Sequence, residues 1–239
     1  MKTLVLSSSA LTKSCASSLS ALGFEPIIMP PYHRLQEGVS SHPDMLVFFC
    51  GNKYICNDEY YEIAKDVFEK INALGYSPII TNELPQSSYP QDVLFNSLKL
   101  GNKILGLTKA MSKALTSLAE ENNIELINVN QGYTKCSVCA ISDNAIITAD
   151  QGIAAAAKFC GIDVLKITDG NVDLKGYNTG FIGGASGVFE DKVYFCGDIY
   201  RHPDADNIID FCAKHKKSCI SLSNEALFDV GSLFFVKKL

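Results

Sequence analysis

Five segments of this 239-residue chain share one pattern. Each begins with an aromatic residue, continues with two or three polar or turn-forming residues, and then enters an apolar stretch. The five segments are HPDMLVFF from His42, YPQDVLFN from Tyr89, YTKCSVCA from Tyr133, YNTGFIGG from Tyr177 and FDVGSLFF from Phe228. They start 47, 44, 44 and 51 residues apart. Repeats of this length are typical of arrays in which each unit packs against its neighbours.

The same local signals follow each segment. A polar turn leads to a second apolar stretch, which is typical of a β-hairpin. These turns and second strands are GNKYI (51–55), GNKIL (101–105), DNAII (143–147) and DKVYF (191–195). A helix and a short strand come next, with polar residues at the helix start and glycine after its end. The predicted helix starts are Asn57-Asp58, Asp150 and His202-Pro203-Asp204, and the glycines that follow predicted helices are Gly23, Gly75 and Gly161.

The two ends of the chain complete one unit between them. The fifth segment ends at GSLFFVKKL without a hairpin partner, and the chain begins with MKTLVLS, which matches the second strand NKYICN at 52–57. We therefore predict that the first strand pairs with the last, which removes the exposed edges of an open array. The prediction is one domain over 1–239, an α/β fold in the form of a five-bladed pseudo-symmetric α/β propeller.

Five such units in a closed ring resemble the pentein, or guanidino-modifying-enzyme, superfamily. Its members include arginine deiminase, dimethylarginine dimethylaminohydrolase, amidinotransferases and the non-enzymatic translation initiation factor six. The resemblance covers the whole chain and depends on repeat count and unit order. The stretches GYTKCSVCAISDNAIITADQGI and GYNTGFIGGASG also resemble an uncharacterised clostridial-type branch of the superfamily.

The resemblance implies a cysteine nucleophile at the start of the last inner strand and a histidine at the start of the third. The cysteine position falls on Val230 or Gly231, where the nearest hydroxyl is Ser232, and the histidine position falls on Tyr133. Both central catalytic residues are therefore missing at the expected positions. Acidic residues that could pair with a cationic substrate are present as Asp44, Asp92 and Asp229.

A relocated nucleophile is an alternative, because Cys136 lies at the start of an inner strand. In an extended stretch, Tyr133 and Lys135 would share one face and Thr134 and Cys136 the other. Lys135 could lower the pKa of the thiol through space, and His42 or His33 could act as the base. The competing interpretation is a half-buried structural thiol.

Three further motifs are weaker. Cys136-x-x-Cys139 lacks the second ligand pair of a zinc site, and a strand follows where a redox motif needs a helix, so no metal is predicted. GGASG at 183–187 precedes a hairpin, which favours closely packed glycines over a phosphate loop. Asn178 and Thr179, just before it, are candidates for polar contacts at the ring's centre.

Composition excludes several partner classes. The chain is 47% hydrophobic and 20% charged, with a net charge of −5 and no long Lys/Arg block, which argues against a nucleic-acid partner. No apolar stretch is long enough to predict a membrane span. Nine cysteines, several in apolar stretches, favour free thiols and a cytoplasmic location. No cofactor is predicted.

The sequence therefore predicts an atypical binder of a small cationic or guanidino-type ligand. Its candidate binding residues are His42, Asp44, Asp92, Tyr133, Lys135, Asn178, Thr179 and Asp229. The alternatives are an amidinohydrolase- or amidinotransferase-like enzyme that uses Cys136, and a protein-interaction scaffold like translation initiation factor six.

Overall fold

Fifteen strands and eight α-helices alternate along residues 2–239, the part of the chain that the computed structural model describes; Met1, which the predicted domain includes, lies outside it. The strands are β1 (Leu4–Ser7), β2 (Glu25–Ile28), β3 (Phe48–Cys50), β4 (Lys53–Asn57), β5 (Ser77–Thr81), β6 (Leu98–Leu100), β7 (Lys103–Gly106), β8 (Glu125–Asn128), β9 (Val138–Ser142), β10 (Ala145–Thr148), β11 (Asp163–Lys166), β12 (Ser186–Phe189), β13 (Lys192–Phe195), β14 (Ser218–Ser221) and β15 (Phe234–Val236). The helices are α1 (Lys13–Ala21), α2 (Pro43–Leu46), α3 (Asp58–Ile63), α4 (Lys65–Ala73), α5 (Lys113–Glu121), α6 (Thr134–Ser137), α7 (Gln151–Phe159) and α8 (Ala205–Lys214).

The strands form five three-stranded sheets of identical order, which confirms the predicted repeat. In each sheet, an inner strand pairs antiparallel with a middle strand, and the middle strand pairs parallel with an outer strand. The inner strands are β3, β6, β9, β12 and β15. Neighbouring inner strands contact one another, as β9 does with β6 and β12, so they surround a common axis. In each unit, the longer helix lies in the connection between the middle strand and the outer strand.

The predicted ring closure is also confirmed. β1 pairs antiparallel with β15, with Leu4 opposite Val236 and Leu6 opposite Phe234. β1 then pairs parallel with β2, so the first and last segments of the chain build one sheet. Closing the ring brings residues that lie near opposite ends of the sequence to the same axis.

Helix starts follow the predicted polar residues at two of three sites. The side chain of Asn57 accepts a hydrogen bond from the Tyr60 N–H at 2.7 Å, and Asp150 accepts one from Ile153 at 2.7 Å. Asp204 also precedes its helix, but its carboxylate accepts from the Thr168 N–H at 2.6 Å rather than from a helix N–H. The glycines that follow predicted helices all have left-handed backbone conformations: Gly23, Gly75 and Gly161.

The segments that lead into the inner strands differ from the prediction. Residues 43–46 and 134–137 form single helical turns, α2 and α6, and at 134–137 this replaces the extended backbone considered above. Pro43 favours this in α2, because proline has the fixed φ of a first helical residue and no N–H to satisfy. In α6, Asn96 from the preceding unit accepts hydrogen bonds from the N–H groups of Lys135 and Cys136 at 2.8 and 3.3 Å.

The apolar core lies between adjacent units. One cluster joins Phe48 of the first unit to Ile104 and Leu115 of the second, and another joins Leu98 of the second to Val138 of the third. Each unit therefore needs its neighbours to bury its apolar face. Within residues 2–239, no helix combines the length and the apolarity that crossing a membrane requires.

Candidate functional site

A buried polar chain of three side chains crosses the axis of the ring. The Ser232 hydroxyl accepts a hydrogen bond from the Lys135 ammonium at 2.8 Å. The same hydroxyl lies 2.7 Å from Asp44 Oδ2 and 2.9 Å from the Gly183 carbonyl oxygen, and it can donate its single proton to either. Ser232 has a φ of 70°, a left-handed conformation that is uncommon outside glycine. Lys135, Ser232 and Asp44 thus connect the third, fifth and first units.

Asp229 is the second buried acid at the axis. Its two carboxylate oxygens accept hydrogen bonds from the Phe181 N–H at 3.0 Å and the Gly231 N–H at 2.9 Å. Glycine is required at 184, because a Cβ there would overlap the Asp229 carboxylate. This agrees with the closely packed glycines predicted for GGASG. Burial raises the pKa of Asp229 to about 6, although the two N–H donors oppose the rise.

Burial also raises the pKa of Asp44, and the nearby Asp229 carboxyl adds to this rise. The Ser232 hydroxyl reaches Asp44 Oδ2, but Asp44 Oδ1 lacks a hydrogen-bond partner among the described residues. Lys135 is the cation that faces both acids. The axis therefore carries two carboxyls against one ammonium.

His42 lies beside Asp229, with 3.7 Å between its Nδ1 and Asp229 Oδ1. It is 1% exposed, yet neither ring nitrogen has a hydrogen-bond partner within residues 2–239. Burial lowers the pKa of His42, so the ring is neutral near pH 7. A neutral imidazole offers one donor and one acceptor, and both are free here.

His42 and Asp229 line a cavity of about 130 Å³, which we call the hub cavity. Its other walls come from the segments that lead into the inner strands and from residues 174–181. These walls are Val39, Met45, Tyr133, Cys136, Leu174, Tyr177, Thr179 and Phe181. The cavity thus places an imidazole and a carboxylate against mostly apolar surfaces, which is the usual composition of a small-molecule site.

Cys136 lies in the wall of the hub cavity with its thiol accepting a hydrogen bond from Asn96 Nδ2 at 2.9 Å. Burial, and next the carboxyls of Asp44 and Asp229, raise the pKa of this thiol well above its ordinary value. The expectation that Lys135 lowers it is therefore wrong, because the ammonium is directed to Ser232. The predicted alternation of faces is also wrong, because residues 134–137 are helical.

His33 and Cys139, the other candidate residues, do not lie at the hub cavity. His33, the other candidate base, has a side chain that is 69% exposed and lies 3.1 Å from Glu59, away from the axis. Cys139 packs into a different apolar cluster from Cys136. Of the two histidines considered, the structure brings only His42 to the cavity.

Tyr133 and Asp92 form a pair at the cavity wall. The Tyr133 hydroxyl donates a hydrogen bond to Asp92 Oδ2 at 2.5 Å. Burial and this carboxylate raise the pKa of Tyr133, and burial raises the pKa of Asp92. Asp92 lies behind Tyr133 and does not line the hub cavity, so its predicted contact with a ligand is indirect.

Thr179 and Asn178 separate in the structure. Thr179 lines the hub cavity, and its hydroxyl lies 3.1 Å from both the Val172 and Gly180 carbonyl oxygens. Asn178 is exposed and lines an outer groove of about 460 Å³ instead. The prediction of a central contact for Asn178 is therefore wrong. Residues 172–180 lack regular strand or helix, so strand alternation gave no guide to their orientation.

Sequence reasoning missed Asn96, which holds the α6 turn and the Cys136 thiol at once. Asn96 lies four residues after Asp92, just before the inner strand of the second repeat. A polar residue at this place in the aligned repeats was the signal that could have identified it. Ser232 was recognised only as the nearest hydroxyl. Its contacts depend on ring closure across 188 residues to Asp44.

A profile of a family of unknown function, DUF6873, matches residues 6–234. The chain belongs to this family. No curated protein matches the DUF6873 chain.

Several solved enzyme structures are similar to the DUF6873 chain. Agmatine deiminase from C. jejuni has a TM-score of 0.59 at 8% identity, covering 100% of this chain and 94% of its own. DDAH from Pseudomonas aeruginosa, complexed with citrulline, has a TM-score of 0.56 at 10% identity, with coverage of 94% and 93%. The inosamine-phosphate amidinotransferase of Streptomyces griseus has a TM-score of 0.55 at 12% identity, with coverage of 93% and 78%. The fold is therefore the pentein fold, as predicted.

At the predicted nucleophile position, this chain has no reactive side chain. Val230 is buried in an apolar cluster, and Gly231, with a φ of 71°, packs directly against His42. Ser232 supplies the side chain that reaches the axis, and it is fully buried. The arrangement holds acids and an imidazole around a cavity without an activated thiol.

Proposed function

We propose that this chain binds a small cationic ligand with a guanidinium-type head in the hub cavity. His42 is the observation on which the proposal chiefly depends. A buried imidazole with two unsatisfied nitrogens costs the fold free energy, on the order of 1–3 kcal/mol for each orphaned polar group. A ligand with several N–H donors can satisfy the acceptor nitrogen of this imidazole and the Asp229 carboxylate, which both line the cavity.

The charges at the axis favour a cation. When both Asp44 and Asp229 are ionised, Lys135 offsets one of the two negative charges and the site carries a net charge of −1. Both acids have raised pKa values because burial penalises their charged forms. A bound cation offsets the negative charge of these carboxylates at a buried site where water cannot solvate them.

The size of the cavity favours a head group over a whole amino acid. At about 30 Å³ for each water in the liquid, 130 Å³ corresponds to roughly four water molecules. This accommodates a guanidinium group with a short carbon stem. Leu174, Tyr177 and Asp229 line both the hub cavity and the outer groove, so a longer stem has a path past them toward solvent.

Residues 172–180 cover this path. The Tyr177 hydroxyl donates a hydrogen bond to Gln36 Oε1 at 2.8 Å, and Gly38 packs against the same ring. The exposed Tyr177 and half-buried Leu174 thus stand between the cavity and the groove. Ligands with a flexible stem should bind better than ligands with a bulky group next to the head.

Isothermal titration with arginine, agmatine and methylarginines tests the proposal. We expect heat of binding from at least one of them, and a loss of at least tenfold in affinity for Asp229→Asn, because the cation then lacks its nearest carboxylate. Asp210→Asn is the matched control, since Asp210 is exposed on α8. Absence of binding for all three ligand classes, or equal affinity in both variants, would contradict the proposal.

The pKa of the Cys136 thiol favours binding over covalent catalysis. A nucleophilic cysteine needs a low pKa to be a thiolate near neutral pH, and the two acids beside Cys136 act in the opposite direction. His42 has a neutral ring but forms no hydrogen bond to the thiol among the described contacts. The same carboxyls that would hold a cation thus keep the thiol protonated.

A further inference from the structure

A second cavity opens at the opposite end of the same axis. It has a volume of about 390 Å³ and is lined by residues of all five inner strands, β3, β6, β9, β12 and β15. We call it the distal well. The hub cavity lies where the chain enters these strands, and the distal well lies along the strands themselves. The Lys135–Ser232–Asp44 chain stands between the two.

The walls of the distal well are largely aromatic and aliphatic. Phe48, Phe49 and Phe95 line one part, and Phe234 and Phe235 line another. Phe49 and Phe234 lie 5.7 Å apart between ring centroids, so these walls form a continuous apolar surface. A cavity of this size, with apolar walls and charged and hydroxyl side chains among them, suits a small organic molecule.

The charged groups of the well are mostly cationic. Lys135 lies at its base, and Lys99 and Lys217 lie nearer its mouth, where they bond to the carbonyl oxygens of Gly101 and Glu190 in the hairpin turns. Among the described lining residues, Asp143 is the single acid. Lys99 and Lys217 outnumber Asp143 in the walls, and Lys135, which also faces the two hub acids, adds an ammonium at the base, so the well favours an anion.

Lys135 has donors to spare for a ligand. An ammonium carries three N–H donors, and its recorded hydrogen bond within residues 2–239 is the one to Ser232. The ammonium also lies 5.3 Å from the centroid of the Phe234 ring, at the boundary between the polar base and the aromatic wall. An anionic group placed there would meet Lys135 while its apolar part contacts the phenylalanines.

We propose that the distal well binds a small organic anion, a carboxylate with an aromatic or aliphatic body, whose charged group meets Lys135. This site is separate from the one proposed for cations. It needs no reaction at the hub and stands whether or not a guanidinium group binds there. The expected order of affinity is anion, then neutral analogue, then cation.

Titration calorimetry of the full chain with phenylacetate, phenylacetamide and phenethylamine tests this order. These probes share an aromatic ring and differ mainly in charge. We expect phenylacetate to bind at least tenfold more tightly than phenylacetamide, and phenethylamine to bind most weakly. Added salt should weaken the binding of phenylacetate more than that of the amide, because screening acts on the charged probe.

Three variants locate the binding. Lys135→Met should remove the preference for the carboxylate, and Val188→Trp should abolish binding of all probes by filling the well from β12. Lys217→Met should weaken phenylacetate binding two- to threefold. Lys158→Met, an exposed change on α7, is the control and should leave binding unchanged.

Each outcome decides the proposal. Equal affinities for phenylacetate and phenylacetamide, no binding of phenylacetate at millimolar concentration, or full binding in Val188→Trp would overturn it. Should Lys135→Met fail to fold because Ser232 loses its partner, Val188→Trp and Lys217→Met still decide, since neither side chain contacts the polar chain at the axis. Their folding is verified by circular dichroism before titration.

Discussion

The affinity of the hub cavity for a guanidinium ligand should fall sharply as the pH is lowered through about 6. Asp229 is the group responsible, because burial raises its pKa to about 6. The groups that face it are Asp44, whose pKa burial also raises, Lys135, whose positive charge favours the ionised carboxylate, and His42, whose pKa burial lowers. A cation binds the ionised form of the carboxyls, so protonation competes with the ligand.

The size of the effect follows from the titration of one carboxyl. With a pKa of about 6, Asp229 is mostly ionised at pH 7.5 and roughly one-tenth ionised at pH 5, so affinity should fall roughly tenfold, or about 1.4 kcal/mol. Protonation of Asp44 over the same range would steepen the fall. His42 works in the same direction if it gains a proton at low pH, because a second cation would then repel the ligand.

Calorimetry with agmatine between pH 5 and 7.5, in buffers of different ionisation enthalpy, measures both the affinity and the protons released. Near pH 6, binding should release a fraction of a proton from the carboxyls, because the bound cation lowers their pKa values. Asp229→Asn should flatten the profile at low affinity, whereas Asp210→Asn should keep the wild-type profile. Affinity that is constant across this range, or that rises on acidification, would refute the reasoning.

Three further predictions concern stability and reactivity. Burial raises the folded-state pKa of Asp229, so its protonated carboxyl stabilises the fold at low pH, and this stabilisation is lost as the pH rises through about 6. In urea unfolding, this group should make the protein about 1 kcal/mol less stable at pH 7 than at pH 5. Asp229→Asn should lack that loss. Peptide mapping after brief iodoacetamide treatment at pH 8 should find Cys50 alkylated and Cys136 unmodified, since burial and neighbouring carboxyls raise the pKa of the Cys136 thiol; prompt labelling of Cys136 would revive the catalytic alternative. Gly184→Ala should cost about 1–3 kcal/mol of unfolding free energy because its Cβ overlaps Asp229, whereas Gly152→Ala in α7 should be neutral or stabilising; equal effects would contradict the packing described.

The sequence was sufficient for the fold because each unit repeats the same turn chemistry. Gly51 and Gly101 occupy equivalent hairpin turns, and both have positive φ. Asn57 and Asp150 begin helices in equivalent places. A single turn signal is weak, but the same order of signals in successive units restricts the arrangement, and the unpaired last strand identifies the partner of the first.

The site was less predictable because its contacts join units that are distant in sequence. The Ser232 hydroxyl meets Asp44 across 188 residues and Lys135 across 97. Strand alternation could not orient the α6 turn, because the amide of Asn96, in another unit, stabilises that turn. The acids Asp44 and Asp229 were identified by their place in the repeat, and both lie at the axis in the segments that lead into inner strands β3 and β15.

The packing of His42 against Gly231 explains why the axis has no cysteine at the position that the resemblance implies. A Cβ at residue 231 would overlap the Cα, Cβ and Cγ atoms of His42, so a cysteine at 231 is incompatible with the present position of this imidazole. Residue 231 also adopts a φ of 71°, which favours glycine, and its N–H donates to Asp229. Placing a thiol there would displace His42 and disturb the carboxylate together. The missing nucleophile and the buried His42–Asp229 pair are therefore two consequences of one packing arrangement, in which space that a reactive side chain would need is occupied by an imidazole facing the hub cavity.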